Sequence, residues 1–172
     1  MTQSGSTHTS AASPQTSQLT EPRRELLALL EELFREFQPQ PGALLDLPQV
    51  VIPPQHIARA CRLAKDDPRL DCKLMLCLTC VDYKEHFQLV YCLHSITNEQ
   101  TLVIKTNVLY GDPHLPSVTS VWRAADWYER EAHDLFGVTF DGHPNLAPLL
   151  LYEGFEGYPG RKEYPFHDYQ EF

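Results

Sequence analysis

Apolar residues recur along the chain with two different periods, and the periods predict the elements. Leu26, Leu27, Leu30, Leu33, Phe34 and Phe37 fall on one face of a helix, and Glu21 and Pro22 suit its first turn. The run QPQPG, Gln38 to Gly42, ends that helix. Val50 to Ile52 reads as a short strand. A second helix opens at Pro53-Pro54, carries Ile57, Ala60, Cys61 and Ala64 on one face, and stops at Asp67-Pro68. Three strands follow. CKLMLCLTCVDY, Cys72 to Tyr83, is nearly all apolar, which predicts burial on both faces. HFQLVYCLHS, His86 to Ser95, alternates, with Phe87, Leu89, Tyr91 and Leu93 pointing one way. TLVIKTNVL, Thr101 to Leu109, pairs with it as a hairpin through the turn around Thr97-Asn98.

Beyond Pro113 and Pro116 the pattern predicts two short helices. Ser117 can cap the first. Asp126 can cap the second, with Glu129 three residues on completing a capping box, and Gly137 suits the position after its end. A strand-like Val138 to Phe140 and a turn at Asp141-Gly142 come next. The order α-β-α-β-β-β-α predicts an α+β fold: a mixed or antiparallel sheet with helices packed mainly on one face, plus an extended, irregular C-terminal tail. The tail, 152–172, holds three Gly, two Pro and seven of the chain's 18 aromatic residues, and no period fits it. At the other end, 1–20 contains ten Ser or Thr and no Asp, Glu, Lys or Arg, a composition that predicts disorder. The expected organisation is a disordered segment 1–20, an α+β domain 21–151 and an aromatic-rich, partner-binding tail 152–172.

Composition narrows the function classes. A net charge of −9 over 172 residues argues against nucleic-acid binding and against docking on an anionic lipid surface. No apolar run reaches the roughly 18 residues that a membrane span needs. The N-terminus lacks the basic and apolar regions of a signal peptide, so the expectation is a soluble, cytoplasmic chain with five reduced Cys.

Three kinds of chemistry can be weighed. Cys72, Cys77 and Cys80, with Cys92 further on, have a spacing that resembles plant-type [2Fe–2S] ligation. Such loops need Gly and polar backbone donors around the sulfurs, whereas these Cys sit in continuous β-type apolar sequence. Small buried side chains are the favoured reading, with a stand-alone metal or iron–sulfur protein as the alternative. Glu129 and His133 are one helical turn apart, as are Arg130 and Asp134. A carboxylate–imidazole pair could bind metal or move protons, but a helical zinc site needs a further ligand, and only His143 is near. The favoured reading there is an Arg130–Asp134 salt bridge among solvated acids. No Gly-rich phosphate loop and no nucleophile elbow is present. No catalytic, cofactor-binding or metal-binding residue is therefore expected.

The string EREAHDLFGVTFDGHPNL from Glu129, followed by GYPGRKEYP over Gly157 to Pro165, resembles the signature of the 30-kDa subunit of respiratory complex I, the C-type subunit family of NADH:quinone oxidoreductase. VDY at Val81 to Tyr83 and DPHLPSVTSVWRAADW at Asp112 to Trp127 resemble it as well. The likeness runs from about Leu45 to Phe166.

The resemblance implies an α+β, non-catalytic subunit of the hydrophilic arm of a proton-pumping complex. It would sit on the cytoplasmic side of the inner membrane as a peripheral component. Its expected partners are the 49-kDa-type (D-type) quinone-site subunit and neighbouring iron–sulfur subunits. FMN, iron–sulfur clusters, NADH and quinone would belong to the assembled complex, with no cofactor in this chain. A related membrane-bound hydrogenase, or another complex I-like enzyme with a different electron donor, is the alternative. On this reading Glu129, Arg130, Glu131 and Asp134 orient an interface, Gly137, Gly142 and Pro144 fix the path of the chain beside it, Tyr158, Arg161, Tyr164 and Phe166 anchor the tail on a partner, and His143, Lys162 and Pro165 belong to the same motif and interface. Two departures stand out. Ala147-Pro148 replace a usual basic residue or pair, so a cationic contact to a neighbour is expected to be either missing or supplied elsewhere. Gly160 stands where Leu is usual, so an anchoring side chain is expected to be lost. The chain also ends at Phe172 without the longer extension of some relatives.

Overall fold

The computed structural model describes residues 19–165. The expectation of disorder therefore falls, for 1–18, outside the described residues, as does the anchoring role of Phe166. Leu19 is 2% exposed and packs in the core, and Thr20 is the N-cap residue of the first helix, so these two belong to the folded domain.

Helix α1 (Glu21–Leu33) starts with Pro at its N-terminus and buries Leu26, Leu27 and Leu30. A 3-10 turn, Arg35–Phe37, ends at Gln38 in the left-handed region. The next stretch holds a hairpin that the apolar pattern did not show. Strand β1 (Gln40–Leu44) pairs antiparallel with β2 (Leu47–Val51). Pro41, Gly42 and Pro48 hide these strands from any propensity reading, and β1 tolerates its Pro because it is an edge strand. A 3-10 turn at Pro54–His56 leads into α2 (Ile57–Asp66), which buries the four predicted residues Ile57, Ala60, Cys61 and Ala64.

Strands β3 (Leu74–Asp82), β4 (His86–Ser95) and β5 (Gln100–Leu109) form an antiparallel meander. The five-stranded sheet runs β1-β2-β5-β4-β3, and its one parallel pairing joins β2 to β5. Phe87, Leu89, Tyr91 and Leu93 of β4 are all fully buried on the inner face, as the alternation predicts. Leu30 of α1, Ile57 and Cys61 of α2, and Ala125 and Ala132 of the last helix belong to the same apolar cluster. The α+β class thus holds, with a mixed sheet.

Two expectations are corrected. Strand β3 is not buried on both faces. It is the far edge of the sheet, burial alternates along it, and Leu74 and Leu76 are 42% and 48% exposed. Leu76 lies at a register shift between Met75 and Cys77 that breaks the alternation. The region 117–124 is a series of turns and not a helix. Helix α3 begins at Ala125 and runs to Phe136, so Asp126 lies inside its first turn instead of capping it. Short strands β6 (His114–Pro116) and β7 (Thr139–Asp141) pair in parallel on either side of α3 in sequence.

Candidate functional site

Helix α3 carries Glu129, Arg130, Glu131, His133 and Asp134, and all but the exposed Glu131 spend their polar groups on neighbouring loop segments. Glu129 is completely buried. It does not close a capping box. It reaches across to the turn before α3, where Oε2 accepts the Ser117 hydroxyl at 2.7 Å and Oε1 accepts the Val118 N–H at 2.7 Å. Burial pushes its carboxyl up to about 7, although the two hydrogen bonds to Ser117 and Val118 pull the other way, and the nearby Asp126 carboxylate adds to the rise.

His143, in the turn after β7, points back at the same place. Its side chain is fully buried, with Nε2 3.3 Å from Asp126 Oδ1 and 3.9 Å from Glu129 Oε2. Its Nδ1 accepts the Asn145 N–H at 3.0 Å, which puts the imidazole proton on Nε2, facing the carboxylates. The pair expected from spacing, Glu129 with His133, does not form. His133 Nδ1 lies 2.8 Å from the Val138 carbonyl and donates to it across the end of the helix.

Arg130 and Asp134 do not form the expected salt bridge either. Arg130 Nε and Nη2 donate to the carbonyls of Ala147 and Pro148 at 2.9 and 2.8 Å. Its guanidinium lies 5.7 Å from the centre of the Trp127 ring. One turn further on, Asp134 Oδ2 accepts the N–H groups of Leu149, Leu150 and Leu151 at 3.2, 2.8 and 2.8 Å. Burial alone would raise the Asp134 carboxyl, but the three donors outweigh it and hold the group below its usual range. The helix thus supplies a cation to the carbonyls and an anion to the N–H groups of one irregular segment, 147–151. Ala147 and Pro148, where a basic side chain was expected, contribute backbone acceptors to Arg130.

The end of α3 holds the tail. Gly137 adopts φ 75°, and a Cβ there would lie 2.6 Å from the Tyr158 ring. Gly160 comes so close to α3 that its N–H donates to the Leu135 carbonyl at 2.9 Å, and a Cβ would meet Phe136 at 2.8 Å. This corrects the view of Gly160 as a missing anchor: the backbone itself docks, and no side chain fits. Arg161 Nε donates to the Phe136 carbonyl at 2.8 Å, and its guanidinium lies 4.5, 5.2 and 5.1 Å from the ring centres of Tyr158, Phe87 and Tyr110. The Lys162 N–H donates to Asp82 Oδ2 at 2.8 Å, and Asp82 is buried. Tyr164 stacks near Phe155 and its N–H reaches the Arg161 carbonyl. The tail over 157–165 is therefore seated on its own domain through contacts within this chain. Pro165, the last described residue, is exposed, as are Lys162, Gly142 and Pro144.

The residues left facing solvent are different in kind. Glu131 is exposed, Trp127 is 63% exposed, and Leu150, Tyr152 and Tyr158 are 61%, 72% and 39% exposed. Trp127, Leu150 and Tyr152 were not singled out in the sequence reading. An aromatic at a helix position outside the apolar stripe was the available signal. Among the described residues, no group of three or more His, Cys, Asp or Glu is placed to hold a metal ion. Cys72 and Cys80 are buried, whereas Cys77 and Cys92 are partly exposed and face each other across β3 and β4, so the four cysteines of the iron–sulfur alternative are divided between the core and the outer face of the sheet. No helix among the described residues is long and apolar enough to cross a membrane.

Comparison with known proteins places this geometry. Residues 50–170 match the family model described as the respiratory-chain NADH dehydrogenase, 30 Kd subunit. The chain is 41% identical over 133 residues to the second C-type subunit of NADH-quinone oxidoreductase in Rhizobium meliloti, covering 76% of this chain and 72% of that protein. It spans about half, 48%, of the length of the corresponding Salinispora arenicola C-type subunit, which it also matches. Among solved structures, the trypsin-resistant fragment of Nqo5 superposes with a TM-score of 0.61 at 28% identity, over 70% of this chain and 98% of the fragment. A chain of the membrane-bound sulfane sulfur reductase, an archaeal respiratory membrane complex, superposes with a TM-score of 0.70 at 27% identity, over 84% of this chain and 86% of that one. The chain belongs to the 30-kDa subunit family of the respiratory-chain NADH dehydrogenase.

Proposed function

We propose that this chain is a structural subunit of the hydrophilic arm of a proton-pumping NADH:quinone oxidoreductase, packed against the quinone-site subunit and near the iron–sulfur subunits on the cytoplasmic side. It carries no catalytic group of its own on this reading, and FMN, clusters, NADH and quinone belong to its partners. One observation carries the proposal. Glu129, Arg130 and Asp134 of α3 are consumed in holding loops 117–118 and 147–151, and large apolar side chains are left outward on α3 and the segment around that second loop: Trp127, Leu150 and Tyr152, all more than 60% exposed, with the exposed acid Glu131 on the same helix. Arg130 lies over the Trp127 ring and donates to the Pro148 carbonyl, which sets Trp127 beside the loop that carries Leu150. An exposed apolar patch with a charged rim marks a protein–protein contact.

The test is recovery of the assembly from membranes with a tagged chain. Wild type brings down the flavin, iron–sulfur and quinone-site subunits. Trp127→Ala combined with Tyr152→Ala folds normally by circular dichroism and recovers less than about a tenth of them, the loss expected when central aromatic anchors of an interface are truncated. Full recovery by the double variant refutes the surface.

A second reading has its own support, the TM-score of 0.70 to a chain of a sulfane sulfur reductase complex. The same module would then serve a machine with different redox partners. The recovered subunits decide: an NADH-oxidising flavoprotein supports the first reading and its absence beside a sulfur-reducing module supports the second.

A further inference from the structure

Five free thiols are present, and three of them, Cys61, Cys72 and Cys80, are buried. Burial drives the Cys61 thiol far up and the Cys72 and Cys80 thiols to about 12, which leaves them inert toward thiol reagents. The two thiols that are only partly buried, Cys77 and Cys92, are direct cross-strand partners in the antiparallel pairing of β3 with β4. Their neighbours in register, Leu78 and Tyr91, are buried on the inner face, so the pair stands on the outer face of the sheet. Residues directly opposite in an antiparallel ladder have Cα atoms about 4.5–5.5 Å apart. That lies inside the roughly 4.4–6.8 Å span that a disulfide requires. Cys77 also sits on the edge strand, beside the register shift after Met75, where the backbone can adjust most easily.

We propose that Cys77 and Cys92 form a redox-convertible dithiol, closed to a cross-strand disulfide by small-molecule disulfides of the oxidised-glutathione class. The sequence of bonds is simple. The Cys77 thiolate attacks one sulfur of the oxidant, forming a mixed disulfide and expelling one thiolate, which takes up the proton Cys77 lost. Cys92 then gives up its proton and attacks Cys77 Sγ, forming the Cys77–Cys92 bond and expelling the second thiolate. Two protein thiols lose two electrons and two protons, and the oxidant becomes two thiols. Cys77 is the entry point because it stands on the edge strand, whereas Cys92 lies on the flanked strand β4 and is held up to about 11, by burial first. Lys105, diagonal to Cys92 on β5, favours the thiolate once the second step begins. The inference concerns this chain alone and stands whichever complex the chain serves.

The experiment equilibrates the full reduced chain in buffers of increasing ratio of oxidised to reduced glutathione, alkylates the remaining thiols and maps the digest by mass spectrometry. Two of the five thiols should disappear together, the Cys77 peptide should be linked to the Cys92 peptide, and circular dichroism should be unchanged. In Cys92→Ser, a single stable mixed disulfide with glutathione should accumulate on Cys77. Three results overturn the proposal: separate mixed disulfides on Cys77 and Cys92 in the wild type with no linkage, a linkage to Cys61, Cys72 or Cys80, or linkage that forms only when the chain is denatured.

Discussion

The two halves of this molecule are held by different forces. On one side, α1, α2 and the inner face of the sheet meet through side chains such as Phe34, Ile57, Tyr91 and Leu93, all fully buried, while the sheet satisfies its own backbone. On the other side, 117–124 and 142–165 contain no helix or strand, and beyond a few backbone turns several of their backbone groups take side chains as partners. Glu129, Arg130 and Asp134 from α3, and Asp82 from the end of β3, provide them. The difference teaches what charge is for in this fold. A buried N–H or C=O needs a partner, and where no ladder supplies it, an ionic side chain does. The first side can trade one apolar group for another of similar volume. The second cannot trade at all, because each acid or base matches a particular set of donors or acceptors.

The largest effect should come from the apolar side. Phe34→Ala empties a fully buried site between α1 and the sheet, and should cost about 3–5 kcal/mol with an unchanged denaturant slope in equilibrium unfolding. A loss under about 1 kcal/mol would mean that the two halves do not differ in this way.

Next comes pH. Glu129 has a folded value of about 7 against an ordinary 4.5, so the folded chain binds the extra proton between those values. Stability should be full below pH 4.5 and fall as pH rises to 7, by roughly 3 kcal/mol at most. Asp134, held low, acts in the opposite sense and only at more acid pH, losing its contribution as pH falls through its depressed value. Glu129→Gln, which resembles the protonated acid, should flatten the slope of melting temperature between about pH 5 and 7. A slope identical to wild type would show that Glu129 is not the group titrating.

Asp134→Ala sharpens the comparison. It strips one acceptor from three N–H groups and should cost about 1–3 kcal/mol. The loss should be local: hydrogen exchange at Leu149, Leu150 and Leu151 should speed up while the amides of β4 and β5 stay protected. Uniform loss across the sheet would mean the loop and the core are one cooperative unit. The smallest effect belongs to Arg161→Lys, which keeps the charge but gives up the planar contact with three rings and the Nε bond to Phe136. A cost of about 1 kcal/mol is expected, seen as faster exchange at Gly160 and Lys162.

The apolar half was largely readable from sequence. Leu26, Leu30, Ile57, Cys61 and the alternating β4 residues fell where their periods put them, because burial is what those periods encode. Pro41, Gly42 and Pro48 concealed β1 and β2, whose pairing depends on partners far along the chain. The polar half was readable as a motif and not as geometry. The spacing of Arg130 and Asp134 fits a salt bridge and fits two separate loop clamps equally well. Only the return of 147–151 past the helix decides between them, and no local pattern announces that return. Glu129 illustrates the same point, since its partners lie upstream of α3 and not at its N-terminus. Gly137 was legible because a helix end requiring positive φ is a local matter, whereas Gly160 owes its identity to contact with Phe136.

The single parallel joint in the sheet, Gln49 to Val51 against Val103 to Lys105, has a consequence for how the chain acquires its shape. The β3–β4–β5 meander can assemble from neighbours in sequence. The β1–β2 hairpin finds its seat only when β5 has been made, more than fifty positions later. During synthesis the first third of the chain must therefore wait, with the inner edge of β2 unpaired, until residue 105 or so has left the ribosome. That interval is when the nascent chain is most open to chaperone capture, and slowing translation between β2 and β5 would lengthen it.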